Sequence, residues 1–120
     1  MIFSYEEKYE IKFYYENGVS PVTIWLKGLD ARSRFYIEAR LGRVRNGNLG
    51  DVKNIGEQIY ELRFFYGPGY RLYFIFDGKM IILLLHGGNK DTQRKDIKVA
   101  RERLIKYQRG VNYGKKNHDD

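Results

Sequence analysis

Cysteine is absent from these 120 residues. That excludes a disulfide scaffold, a thiolate metal site and a cysteine nucleophile, and it suits a reducing compartment. Histidine occurs only at His86 and His118, too few for a convincing metal site; no metal is expected, and no other cofactor is called for. Proline is as scarce, at Pro21 and Pro68, so each marks a local event. No apolar run approaches the roughly 20 residues that span a bilayer, and the N-terminus lacks a secretory pattern. The expectation is a soluble, cytoplasmic chain with no membrane partner. Nothing repeats, and no Pro- or Ser-rich linker divides the chain, so one domain is expected.

Positive charge, by contrast, is plentiful. Lys and Arg number 22 against 15 acidic residues, for a net charge of +7. Such a field favours polyanions or an acidic protein. By charge alone, DNA, RNA, the ribosome and an acidic partner all remain open. The cations cluster at residues 40–45 and 94–103. Tyrosine is also common, with 11 copies; a phenol ring can fill a core or stack on bases, so the count does not choose.

Residues 9–15 alternate as a first strand, with Ile11, Phe13 and Tyr15 on one face. Ser20-Pro21 reads as an N-cap followed by proline at the first helical position. That helix ends near Gly28, with Ile24, Trp25 and Leu29 as its buried edge. Asp30 caps a second helix, in which Ile37, Leu41 and Val44 recur at helical spacing; the pair should carry a basic outer face. Residues 46–57, with Gly47, Gly50 and Gly56, read as a loop.

From Gln58 the period changes to two. Tyr60, Leu62 and Phe64 share one face, while Ile59, Glu61, Arg63 and Phe65 share the other. Gly67-Pro68-Gly69 turns the chain back. In the next strand Tyr70, Leu72, Phe74 and Phe76 oppose Arg71, Tyr73 and Ile75. Asp77-Gly78 is a two-residue hairpin signal. Residues 80–85 are apolar on both faces, as a covered central strand would be. After His86-Gly87-Gly88, Asp91 is the expected cap of a last helix carrying Ile97, Ala100, Leu104 and Tyr107 as its stripe. That helix should end near Gly110. Residues 111–120 form a polar tail without periodicity, expected to be disordered beyond a 1–110 domain. The order β-α-α-β-β-β-α predicts an α+β fold with a mainly antiparallel sheet packed by helices.

The words G-N-L-G-D-V-K (47–53), E-L-R (61–63), Y-G-P-G-Y-R (66–71) and L-L-L-H-G-G-N-K (83–90) occur in this order between helices. Together they resemble the RelE/ParE superfamily of type II toxins, nearest its HigB-like, phage-associated addiction-module branch. The resemblance covers residues 3–107 and implies the RelE-like fold. It also implies a metal-independent, ribosome-dependent mRNA endoribonuclease that arrests growth by attack of a 2′-hydroxyl on the adjacent phosphate. The implied partners are ribosome, mRNA and a cognate helix-turn-helix antitoxin (HigA-like), with operator DNA reached only through the antitoxin complex.

Carried over residue by residue, the resemblance puts Arg71 at the superfamily's phosphate-binding arginine. Arg63 and Lys90 match positions that are often basic. Glu61 stands where RelE has a lysine. The family's catalytic tyrosine falls at or near Asp96, leaving His86 and Glu61 as candidate proton carriers. Catalytic candidates are therefore Arg71, Arg63, Lys90, His86 and Glu61. RNA-binding candidates are Arg71, Tyr73, Lys53 and Arg94, with Tyr73 favoured for base stacking because alternation puts it on the face of Arg71. Asp96 reads as a helix-surface residue. The rivals are a ParE-like DNA gyrase inhibitor on the same fold and a non-catalytic phage-derived binding protein.

Overall fold

The structure, a computed structural model, describes residues 8–118, with side chains described through residue 110. Its elements are β1 (Glu10–Phe13), α1 (Pro21–Lys27), α2 (Ala31–Arg45), β2 (Val52–Gly56), β3 (Ile59–Arg63), β4 (Tyr70–Asp77), β5 (Ile81–Asn89), a 3-10 turn (Lys90–Thr92) and α3 (Gln93–His118). The strands form one sheet in the order β1-β5-β4-β3-β2. Only β1 and β5 pair in parallel; the other three ladders are antiparallel. The expected α+β class with a mainly antiparallel sheet is the one observed.

The helix caps follow local chemistry. Ser20 Oγ accepts from the Thr23 amide at 3.2 Å, Pro21 opens α1 and Gly28 closes it. Asp30 Oδ2 accepts from the Ser33 amide at 3.1 Å to start α2. Both helices press on one sheet face, where Ile37, Leu41 and Val44 meet Leu62, Phe64, Leu72 and Phe74. On α1 the buried residues are Val22 and Leu26, with Trp25 and Leu29 partly buried and Ile24 exposed. The expected edge thus shifts to the i, i+4 pair, which faces the sheet while Ile24 lies on the far side.

The opposite sheet face packs α3. Ala100 and Leu104 are buried with Ile59, Tyr73, Ile75 and Leu83, flanked by Ile97 and Tyr107, so the expected stripe is the one used. β1 is shorter than expected. Ile11 and Phe13 pack on the α1/α2 side, but the chain leaves the sheet after Phe13, burying Tyr14 and exposing Tyr15. The β4–β5 connection joins Asp77 to Ile81, one residue longer than a two-residue turn.

Three further expectations change. The stretch 46–57 contains a strand, β2, with Val52 opposite Leu62 and Lys53 opposite Glu61. Its lysine, asparagine and glycine give little periodicity; it is an edge strand defined by pairing, with an irregularity between Asn54 and Gly56. The last helical segment is capped by Asn89 rather than Asp91. Asn89 Oδ1 accepts from the Asp91 amide at 2.9 Å and the Thr92 amide at 3.2 Å, because β5 continues through His86 to Asn89. Finally, the α3 backbone passes Gly110 and runs to His118. The expected tail, residues 111–120, has its side chains and its last two residues outside the described residues. Among the described residues, no helix is long and apolar enough to cross a membrane.

Candidate functional site

Arg63 and Arg71 are direct cross-strand partners in the β3–β4 ladder. Like charges in that position repel, and each is offset by a carboxylate. Arg63 Nη2 lies 2.8 Å from Asp51 Oδ1, and Arg71 Nε lies 3.7 Å from Glu61 Oε2. The second distance is an ion pair without a hydrogen bond. Arg71 is held from the other side by Nη1, which donates to the Gly69 carbonyl at 2.7 Å. Tyr70 pairs with Asn89 across β4–β5, which brings Lys90 to the same end of the sheet. Arg63, Arg71 and Lys90 all line one open cavity of about 420 Å³, with the turn residues Phe64, Phe65, Tyr66, Gly67, Pro68 and Gly69. Three of the candidate residues therefore converge.

Behind this cavity lies a buried support. Arg40 belongs to the 40–45 cation cluster expected on the basic outer face, yet it is buried. It stands three residues after Ile37 and four before Val44, and so shares their inward face. Its Nη2 donates to the carbonyls of Leu49 at 2.9 Å and Asp51 at 2.7 Å, and its Nη1 to that of Arg63. Its guanidinium carbon lies 4.8 Å from the Phe64 ring centroid. Burial lowers its pKa, opposed by Asp51. Gly50 makes room for this fork: at φ +69, a Cβ there would come within 3.0 Å of Arg40 Nη2. The glycine-punctuated motif is thus a clamp. It brings Asp51 to Arg63 and ties β2 to β3.

Glu61 does not line the cavity. Only 1% exposed, its Oε2 accepts from Tyr73 Oη at 3.0 Å and from Gln93 Nε2 at 2.7 Å. Tyr73 is 0% exposed, so the expectation that it presents a face for base stacking is corrected: alternation gave its side of the sheet correctly, but α3 covers that side. Burial and the Glu61 carboxylate raise the phenol pKa far above its ordinary value.

His86 is likewise built into the α3 contact. Its Nε2 lies 2.7 Å from Asp96 Oδ1, and its Nδ1 lies 2.6 Å from Arg103 Nη1. Arginine can only donate, so Nδ1 accepts and Nε2–H donates to Asp96; the ring is a neutral tautomer. Burial pushes its pKa down; Asp96 opposes that shift, and the Arg103 charge adds to it. Asp96, expected on the helix surface, is 6% exposed and also accepts from Thr92 Oγ1. The following glycines leave room for α1 at Gly87 and for the Asp96 carboxylate at Gly88. A Cβ on Gly87 would lie 2.4 Å from the Trp25 ring, and one on Gly88 would lie 1.8 Å from Asp96 Oδ2.

Lys53 and Arg94 are exposed but line no part of the cavity. Arg94 borders a separate depression with Gln93, Ile97 and Arg101. Sequence reasoning missed Arg40, Asp51, Phe65 and Tyr66. Helical spacing from Ile37 could have flagged Arg40; the others needed the folded turn.

This arrangement sits on a known fold. A structure of the E. coli toxin RelE, a double-arginine mutant in the free state, superposes with a TM-score of 0.53 at 20% identity, over 76% of this chain and 96% of that one. At that identity the likeness shows the fold. The profile of the family described as "Phage derived protein Gp49-like" matches residues 24–105, and the chain belongs to that family, within the RelE/ParE superfamily that the motifs resemble. A Haemophilus influenzae relative, described as an uncharacterized protein, is 44% identical over 78 residues, 64% of this chain and 79% of the relative.

Proposed function

We propose that this chain is the toxin of a type II toxin–antitoxin pair, of the HigB-like branch, and that it cuts messenger RNA on the ribosome without a metal. The observation that carries this reading is the convergence of Arg63, Arg71 and Lys90 on one open cavity. Cleavage joins the 2′-oxygen to phosphorus and breaks the bond from phosphorus to the 5′-oxygen. The 2′-hydroxyl loses a proton, the 5′-oxygen gains one, and a cyclic phosphate remains. Charge builds on the phosphorane oxygens, and positioned cations at that point lower the barrier. Arg71 is the chief phosphate ligand, because its fork can hold two oxygens at once. Arg63 and Lys90 supply the flanking charge.

In this reading Glu61 and His86 are positioning residues. Glu61 orients Arg71 from beneath, and His86 fixes the start of α3 through Asp96. Tyr66 and Lys90 are the groups lining the cavity that can exchange protons with a bound substrate. The partners are the translating ribosome with its mRNA, in the cytoplasm, and an acidic helix-turn-helix antitoxin (HigA-like) attracted by the +7 charge. Lys53 and Arg94 would add long-range attraction to the RNA backbone.

Primer extension on a defined mRNA, with purified protein and with or without translating ribosomes, tests this. The expected result is new 5′ ends within codons only during translation. Arg71→Ala should reduce cutting by about 100-fold or more, the size seen for losing one charge-stabilising donor. No new ends from folded, growth-arresting protein would sink the proposal. Lost supercoiling in a gyrase assay would then identify the ParE-like rival.

A further inference from the structure

Phe65 is 87% exposed, the most exposed large apolar side chain among the described residues. A single exposed phenylalanine is ordinary on a protein surface. This one is placed differently, because it lines the same cavity as Arg63, Arg71 and Lys90. Its two neighbours in the chain are already engaged. Phe64 is buried beneath the Arg40 guanidinium. The Tyr66 ring stacks on Tyr36, with centroids 4.6 Å apart and planes 12° from parallel. These contacts anchor the turn on both sides of Phe65, which has no aromatic partner among the described residues. The cavity thus joins a cationic floor to a phenyl ring on a braced turn.

That pairing matches single-stranded nucleic acid, in which phosphates and unstacked bases alternate. Cations take the phosphate, and an aromatic ring takes the neighbouring base with little regard to its identity. A duplex would keep its bases stacked and offer the ring nothing. We propose that Phe65 is a nucleobase-stacking residue of the cationic cavity, so that the site takes single-stranded RNA one nucleotide from the phosphate held by Arg71. This rests on the RNA-cleaving reading and names the ligand contact within it.

The test uses the whole chain and a short, mixed-sequence single-stranded RNA carrying 2′-O-methyl groups, which blocks cutting. Fluorescence anisotropy over a salt series separates stacking from charge. Phe65→Ala should weaken binding on the order of tenfold at every salt concentration and leave the slope of log K against log salt unchanged. Phe65→Trp should restore affinity, and Phe65→Leu should not, because leucine keeps apolar area without a π face. Arg71→Ala should instead reduce the salt slope. If Phe65→Ala or Phe65→Leu binds like the parent while Arg71→Ala is weakened, the stacking assignment is overturned and the cationic site stands. If neither Phe65→Ala nor Arg71→Ala alters binding, both fall. An alanine variant with parental RNA affinity but lost antitoxin binding would overturn the assignment in favour of a protein contact.

Discussion

Asp96 fills the space that any side chain at position 88 would need: a Cβ on Gly88 would stand 1.8 Å from Asp96 Oδ2. Strand β5 and helix α3 meet so closely there that the carboxylate lies against bare backbone. Gly88→Ala should therefore cost about 1–3 kcal/mol, the usual range for overpacking a tight contact. Urea denaturation measures it. A midpoint equal to that of the parent would mean that the contact is looser than described.

The imidazole bonded to that carboxylate makes stability respond to acid. Burial, reinforced by Arg103, holds the His86 pKa below its ordinary 6.5, with the Asp96 hydrogen bond opposing. In the unfolded chain the ring takes up its proton near pH 6.5; in the folded chain it does so at lower pH. Between those values the unfolded state binds more protons. The contribution is complete above about pH 6.5 and is lost as pH falls toward the folded value. Melting temperatures between pH 7.5 and 5 should drop for the parent, and His86→Gln should drop less. Parallel curves for the two proteins would remove His86 as the cause.

Arg40 should behave as a buried clamp rather than a surface cation. Arg40→Met leaves the carbonyls of Leu49, Asp51 and Arg63 without their donor, at a cost of about 2–3 kcal/mol. Arg40→Lys should recover little of that, because an ammonium cannot fork to several carbonyls. Full recovery by lysine would show that charge alone holds the loop. Hydrogen exchange offers a second reading: amides of residues 48–53 should lose protection first.

Glu61 and Tyr73 share one buried hydrogen bond of 3.0 Å. Tyr73→Phe and Glu61→Gln should each destabilise the fold by about 1–3 kcal/mol, and their double-mutant cycle should show coupling of about 0.5–3 kcal/mol. Glu61→Gln also tests the positioning role. If Glu61 only orients Arg71, the variant should retain measurable cutting and change its dependence on salt. Abolished cutting in a folded variant would make Glu61 the base.

The features that could be read from residue pattern alone are local in range. Ser20-Pro21 and Asp30 start helices because their side chains accept amides three residues away. The alternation through β3 and β4, the Gly-Pro-Gly turn and the α3 stripe need only neighbouring residues, so the α+β class was legible, while Arg63, Arg71 and Lys90 were singled out together by the family resemblance of the motifs that carry them. Features that depend on contacts distant in sequence were settled by packing. β2 exists because β3 pairs with it, since Val-Lys-Asn-Ile-Gly has little strand pattern of its own. Helical spacing puts Arg40 on the inward face of α2, but only the folded loop and strand supply the three carbonyls that make a buried guanidinium tolerable there. Tyr73 and Glu61 are buried and His86 half-buried because α3 folds across their face of the sheet, and Asp96 is buried because it sits on the side of α3 turned toward that face. Alternation gives the side of a sheet on which a residue lies; only the packed chain determines what covers that side.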